Sequence, residues 1–451
     1  MPPIVALILC FIFVTVLLRI EKGQNREVSG ALWLPTIWLL LCGSKPLARW
    51  FEFGGGVVAA DETGSPLDRF VLIILMVLAS FVLVKRRIQW SLILHDNIWL
   101  ILLYLYLGLS VLWSDFPEVS FKRWVRLFAM IPIALIILTE QYPLRALEST
   151  FRRCSYVLIP FSLLLIKYFP NMGVAYVSWS GEKMWVGVTS QKNGLGSLCA
   201  VASFFIIWSF YREWRAGSLF KSKLLTFGDG LVLVTAMFLL QGFNGSYSAT
   251  AIGIILVGTA TFFVLAQCKK HLRSVAWLTT LGVALVLISL QVSDSVRSAV
   301  TSAFNRDATF TGRTDIWDAV LKVCSQNELF GSGYGGYWGL ADAAIVETLG
   351  VSEAHSGYLE VYLGGGMVGI VAFSAFLLAH YWKAIRELDY SYEWGLFAVS
   401  YFIMILIENF TESVFIRTSS YFWNIMVFVT IVLSEPLLRR PANHASTPGR
   451  G

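Results

Sequence analysis

Charge is scarce in this sequence. Asp, Glu, Lys and Arg make up 14% of its 451 residues, while 56% are hydrophobic and the mean hydropathy is +0.66. Soluble domains carry roughly 25% charged and 45–50% apolar residues, so a water-soluble globular enzyme is excluded and lipid must be the main solvent. Cysteine is sparse as well. The six cysteines include no C-x-x-C pair, which excludes both a disulfide framework and a zinc-type ligand spacing. Cys10 and Cys199 lie in apolar runs and Cys154 and Cys268 in short basic segments. Cys42 and Cys324 are able to face the same side and pair, though two separate thiols is the favoured reading. No Lys-Ser or Lys-Thr follows the glycine-rich stretch from Gly331 to Gly339, so it is not a nucleotide loop. The net charge of +6 comes from basic residues set between apolar runs, where membrane topology accounts for them and nucleic acid is not called for. The first apolar run, Pro3 to Ile20, lacks a basic leader and an A-x-A site, and reads as a retained span.

What is present is a series of apolar runs, near residues 3–20, 31–43, 69–84, 98–113, 124–139, 155–168, 193–210, 228–242, 248–266, 276–292, 361–381, 394–408 and 420–437. They predict an all-α polytopic membrane protein of about 12–13 transmembrane helices with a long periplasmic loop containing short helices. The expected organisation is an N-terminal transmembrane bundle over 1–292, a loop over 293–360, C-terminal transmembrane helices over 361–437, and a disordered cytoplasmic tail over 438–451. Lys and Arg concentrate in alternate loops, among them Lys85 to Arg87, Arg145 to Arg153, Arg212 to Lys223 and Lys269 to Arg273. The positive-inside rule makes those cytoplasmic. The opposite set, 44–66, 114–121, 169–192, 243–247, 293–360 and 409–419, then faces the periplasm. No internal repeat argues for an inverted-repeat transporter.

The 293–360 loop holds most of the polar chemistry. The helical spacing of Ile316, Trp317, Val320, Leu321 and Cys324 predicts a surface helix capped by Thr314. Arg313 then lies just before a helix end that already carries partial positive charge, and it needs an anion. Asp315 would supply one structurally; alternatively Arg306, Arg313 and the helix end form a phosphate cradle. The stretch from Gly331 through Tyr334 to Gly339 is a lid or sugar-stacking loop, or an ordinary glycine-rich connection with its aromatics at the interface. Ser352 reads as a helix cap placing His355 in the first turn, where the helix end and nearby arginines favour a neutral imidazole able to act as a general base. Of five histidines, His355 alone falls on the outer side. A lone interfacial histidine is more often structural unless partners surround it. At the same face Arg123, Lys192 and Asn193 begin helices, each of the two cations being readable also as a snorkelling side chain. Glu408 lies close to the bilayer interior and should pair with a basic residue of the long loop.

Several motifs together resemble the O-antigen ligase and Wzy-type polysaccharide polymerase superfamily, particularly its exopolysaccharide-production branch, the succinoglycan-type polymerases. The resemblance runs over roughly residues 100 to 420. It is carried by Arg306-Asp-Ala-Thr-Phe-Thr-Gly-Arg-Thr-Asp-Ile-Trp317, by Gly331-Ser-Gly-Tyr-Gly335, and by Ala354-His-Ser-Gly-Tyr358, with Trp113-Ser and Lys192-Asn193 as weaker upstream parts. It implies a metal-independent glycosyltransferase, without a cofactor, in the bacterial inner membrane with its active site facing the periplasm. The implied donor is a glycan on undecaprenyl pyrophosphate, the acceptor another glycan or lipid A core, with membrane lipids and possible assembly proteins as further partners. By the same resemblance Arg313 and Arg306 hold the pyrophosphate, Arg123 and Lys192 assist, and His355 is the general base. Asn193, Tyr334, Tyr358 and Glu408 complete the expected substrate-binding set. The sequence carries no D-x-D pair on the outer side.

Two other readings stay open. An O-antigen ligase uses the same donor and differs only in its acceptor. A multi-span transporter or flippase would place ionisable residues and broken helices at the bilayer midplane, where the apolar runs show little charge besides Glu408.

Overall fold

A computed structural model describes residues 1–51, 66–176, 181–219, 222–244, 246–268, 270–293, 295–296, 298, 313–339 and 353–435. The structure is mostly helical, and each of the thirteen apolar runs overlaps one or more helices. Among the described residues eight helices are long and apolar enough to cross a membrane. The count is nine if the pair Trp90–Asp96 and Ile98–Trp113, bent by 78°, is one span. The shorter apolar helices Gly30–Cys42 and Tyr421–Val432, with the pair Pro117–Phe128 and Met130–Leu138, cover three of the four remaining runs without reaching that length, and run 155–168 lies on the longer helix Pro143–Tyr168, whose first half is charged. Among the described residues one antiparallel two-stranded ribbon, Val174–Tyr176 with Lys183–Trp185, departs from the helical pattern.

The Tyr392–Thr411 helix is the axis of the bundle, with 94% of its apolar window buried. It is wrapped by Gly357–Tyr390, Ala249–Gln267, Lys192–Arg215 and Tyr421–Val432. Its aromatic residues interlock with theirs: Trp208 and Trp394 lie 4.5 Å apart, Phe204 and Phe397 5.4 Å, and Tyr401 and Phe422 5.4 Å. In lipid there is little hydrophobic gain from pressing helices together, so dispersion in such close aromatic contacts and buried hydrogen bonds carries the association. The outer helices Pro3–Gln24, Pro66–Val84 and Leu272–Leu290 leave most of their apolar surface exposed, as lipid-facing helices do.

The structure corrects one reading of the basic segments. Arg152, Arg153 and Cys154 are buried inside a continuous helix, Pro143–Tyr168, rather than exposed in a loop. Arg152 meets Asp229 at 3.2 Å and Glu148 at 2.9 Å, and donates to Ser209 Oγ at 2.7 Å. Arg212 also pairs with Glu148, and Arg153 pairs with Glu21 at 2.7 Å. The helices therefore do carry ionisable residues, but as mutually neutralising partners, which is how buried charge is tolerated. Cys42 and Cys324 pack in separate apolar clusters, and all six thiols are free.

At the other end of the bundle a glycine contact fixes the loop. Gly366, with φ of 60°, interrupts the Gly357–Tyr390 helix, and Gly331, with φ of 69°, lies against it so closely that a Cβ on either would strike the other's backbone. Ser332 N–H donates to Leu363 O at 2.8 Å and Met367 N–H to Glu328 O at 2.8 Å, so backbone freed by the break is satisfied by the loop.

Candidate functional site

The Arg313–Cys324 helix is amphipathic, and Ile316, Val320 and Cys324 bury against Tyr337, Trp338, Ala354 and Leu363. Trp317 stacks edge-on against Phe410 at 6.0 Å and its Nε1–H donates to Ala354 O at 3.1 Å. One side chain thus ties this helix both to the end of the Tyr392–Thr411 helix and to the residue before His355. The tyrosine-tryptophan stretch of the glycine-rich loop is packed inward, as a structural connection would be. Glu360 locks it there, accepting from Trp338 Nε1–H at 2.9 Å and from Ala354 N–H at 2.7 Å.

This packing sets Arg313, the first residue of its helix, against Glu412. Arg313 Nη2 and Glu412 Oε1 are 2.7 Å apart, and Asn193 Nδ2 donates to the same oxygen at 2.7 Å. Two sequence expectations are corrected here. Asp315 is exposed and does not supply the anion. Glu408 accepts from Ser197 Oγ–H instead, and the carboxylate that meets the loop arginine is Glu412, one helical turn further on. The reason is geometric: Glu408 still faces the bundle interior, whereas Glu412 follows the last helical residue and turns outward. Glu412 is buried. Burial opposes its ionisation, but the Arg313 charge and the adjacent His355 outweigh it and hold the carboxyl below its ordinary value.

His355 also differs from its expected place. The helix begins at Gly357 with Ser356 as its cap, so His355 precedes the helix, and its φ of 47° lies in the left-handed region. A non-glycine residue is held there only by its surroundings. Those are visible: Ala354 is pinned on both sides by Trp317 and Glu360, and Gly357 N–H donates to Glu412 O at 3.0 Å. Gly357 itself rests on Asn409 so tightly that any Cβ would overlap its amide. His355 Nδ1 lies 3.6 Å from Glu353 Oε1 and 3.9 Å from Glu412 Oε2. Both are beyond hydrogen-bond length, and Nδ1 is buried with no hydrogen bond among the described residues. Carboxylates rather than a helix end therefore surround the ring. Glu353 in turn pairs with Arg417.

Arg123 reaches the same end and donates to Gly335 O. Tyr334 donates its hydroxyl to Ile416 O at 2.7 Å, and Tyr358 donates to Leu406 O at 2.9 Å, so both phenols brace the backbone around the site. Burial pushes the Tyr334 phenol up, against the pull of Arg123, Arg126 and Arg417. Lys192 begins the helix one residue before Asn193 and is half-buried. Arg306 lies outside the described residues. The structure thus brings Arg313, His355 and Asn193 around one carboxylate, with Glu408 one turn behind. Arg123 and Tyr334 form a second group, linked to the first through Arg417.

Three residues were not singled out from sequence. Glu412 lies in the 409–419 segment, which the sequence assigns to the outer face without marking any of its residues. Arg417 lies in the turn after the axial helix. Arg126 follows Arg123 by three residues on one helix face, and its buried Nε has no hydrogen bond among the described residues. The i, i+3 spacing of Arg123 and Arg126 was the available signal for the last.

Residues 231–374 match the family described as O-antigen ligase, a segment that contains Arg313 and His355 and excludes Arg123, Asn193 and Glu412. The matches support the Wzy-type superfamily. One relative is the exopolysaccharide production protein ExoQ of Rhizobium meliloti, 21% identical over 301 residues, covering 64% of this chain and 66% of the relative. Another is an uncharacterized protein of Haemophilus influenzae, 23% identical over 283 residues, covering 58% of this chain and 66% of the relative. In each case the match spans just under two thirds of the relative's length. Such likeness does not separate one superfamily branch from another.

Proposed function

We propose that this chain is a bacterial inner-membrane glycosyltransferase that moves glycan from an undecaprenyl-pyrophosphate-linked donor to a sugar hydroxyl on the periplasmic face, extending exopolysaccharide or O-antigen repeats. The observation that carries the reading is the convergence of Arg313 and His355, 42 positions apart in sequence, on the one carboxylate Glu412. A cation and a potential base held side by side at a helix end suit transfer from a phosphate leaving group.

In this mechanism the acceptor hydroxyl gives its proton to His355 as its oxygen attacks the anomeric carbon of the donor. The bond from that carbon to the pyrophosphate oxygen breaks, and the electron pair leaves with the pyrophosphate. Arg313 meets the charge that develops on the leaving oxygens, with Arg306, Arg123 and Lys192 as further cations. Glu353 and Glu412 stabilise the imidazolium formed on proton transfer, the part a carboxylate plays beside a catalytic histidine. Asn193 anchors Glu412, Glu408 stands one turn behind it, and Tyr334 and Tyr358 brace the surrounding backbone.

What favours the polymerase branch in this reading is the run from Arg306 to Thr314, which resembles that branch. The test supplies purified full-length protein with a carrier-linked repeat and examines the product. Longer glycan still attached to carrier is the expected result. Transfer to lipid A core would assign the ligase alternative, and movement of intact donor between leaflets without bond formation would assign a flippase.

A further inference from the structure

We propose that Glu412 is a positioning residue that competes with the donor's phosphate for Arg313, so that donor binding frees its carboxylate to engage His355. This rests on the glycosyltransferase reading and assigns that site an internal exchange of partners.

The backbone of Glu412 is fixed. Its N–H donates to Glu408 O at 2.9 Å and its carbonyl accepts from Gly357 N–H at 3.0 Å. Only the side chain is left to move. One carboxylate oxygen holds both Arg313 and Asn193, at 2.7 Å each, while the other stops 3.9 Å from His355 Nδ1. The ring nitrogen is therefore near a carboxylate but without a hydrogen bond to it. Arg313 meanwhile spends a donor on a carboxylate, the group whose oxygens a phosphate most closely resembles. A small rotation of the Glu412 side chain would give up Arg313, keep Asn193 as anchor, and close the gap to His355. A diphosphate offers the guanidinium more oxygens and more charge than one carboxylate, so it wins the exchange when present. Among the described residues the other charged groups facing this point are Glu408, whose Oε2 is buried without a hydrogen bond, and Glu353, already paired with Arg417. Neither is within ion-pair distance of Arg313.

The consequence runs against the usual expectation for a buried ion pair. Removing the charge of Glu412 should strengthen anion binding while weakening turnover. Binding of inorganic pyrophosphate to the full-length protein in lipid nanodiscs is measured by calorimetry for wild type, Glu412→Gln, Arg313→Ala and the double variant. Glu412→Gln is expected to bind about tenfold tighter, because the competitor for a charge-assisted contact is gone. Arg313→Ala should bind more weakly, and the double variant should show no gain over Arg313→Ala. With carrier-linked glycan, Glu412→Gln should lower KM and kcat together, a split that mere loosening of the fold would not give. Glu412→Asp, too short to reach Arg313 in the same pose, should bind with intermediate affinity and covers the case in which the glutamine variant fails to fold. Unchanged or weaker pyrophosphate binding by a folded Glu412 variant overturns the inference alone. Failure of wild type to bind pyrophosphate, or wild-type binding by Arg313→Ala, overturns the glycosyltransferase reading and the inference with it.

Discussion

The two ends of the helix bundle both collect charge, and they do so in opposite ways. Asn193 and Arg212 sit on one helix 19 residues apart, which at 1.5 Å per residue separates the two clusters by roughly 28 Å. At the Arg212 end, Arg152 is enclosed by Asp229, Glu148 and Glu213, and Tyr156 donates to Asp229 at 2.6 Å. These groups stand on long helices, with carboxylates outnumbering the enclosed cation. At the Glu412 end, the groups come from helix starts and turns. Nitrogens of His355 and Arg126 and an oxygen of Glu408 are buried there without hydrogen bonds among the described residues. The Arg152 cluster itself is closed, although Nη1 of the neighbouring Arg153 is also buried without a hydrogen bond; a closed cluster contributes to holding helices in register, whereas an open one retains bonding capacity for a substrate. On this contrast the proposed transfer belongs to the Glu412 end and stability to the Arg152 cluster.

The sharpest way to break that division is a pair of alanine variants. His355→Ala should lower transfer by about 10²–10⁴-fold, the range for losing a general base, with thermal unfolding in detergent unchanged. Arg152→Ala should do the reverse. It leaves Asp229 buried without its cation, while Glu148 keeps Arg212, a loss of about 3–5 kcal/mol, measured as a lower unfolding midpoint and lower membrane abundance. Its rate per folded molecule should match wild type. If Arg152→Ala abolished transfer without destabilising the protein, the inner network would have to be part of the mechanism, as a transporter would require.

Much of the helical frame was legible because it depends on short-range pattern. A run such as 394–408 must be helical in lipid, since its backbone donors and acceptors have no other partners. The special residues of the loop were legible for a related reason: Arg313 and His355 are polar exceptions in an apolar sequence. Their partners were not. Arg153 meets Glu21 across 132 positions, and Arg313 meets Glu412 across 99, so nothing local to either residue marks the pair. Hydropathy averages also concealed the helix around Arg152, because charges neutralised by tertiary contacts look the same in sequence as charges in a solvated loop. The start of the helix after His355 was misread for a local reason. Ser352 and Ser356 are both acceptable caps by residue type, and the helix starts after Ser356 without a bond from its side chain, where Gly357 rests on Asn409 of a distant helix.

A smaller effect separates placement from chemistry within the open end itself. Trp317 touches neither Arg313 nor His355 by any polar contact, yet its indole N–H holds Ala354, and through it the left-handed turn at His355. Trp317→Phe keeps an aromatic ring against Phe410 while removing that donor. The expected cost in stability is about 1 kcal/mol, the net worth of one hydrogen bond. Transfer should fall more than stability suggests, because a base displaced by even an ångström from its acceptor loses rate steeply. Steady-state kinetics should show this as lower kcat with KM nearly unchanged, since Arg313 remains paired through Glu412. An equal fall in kcat for a variant of the inner network, such as Arg152→Ala, at matched loss of stability would mean that general loosening explains both. Only a larger fall for Trp317→Phe supports the view that this end of the bundle is built around the position of one imidazole.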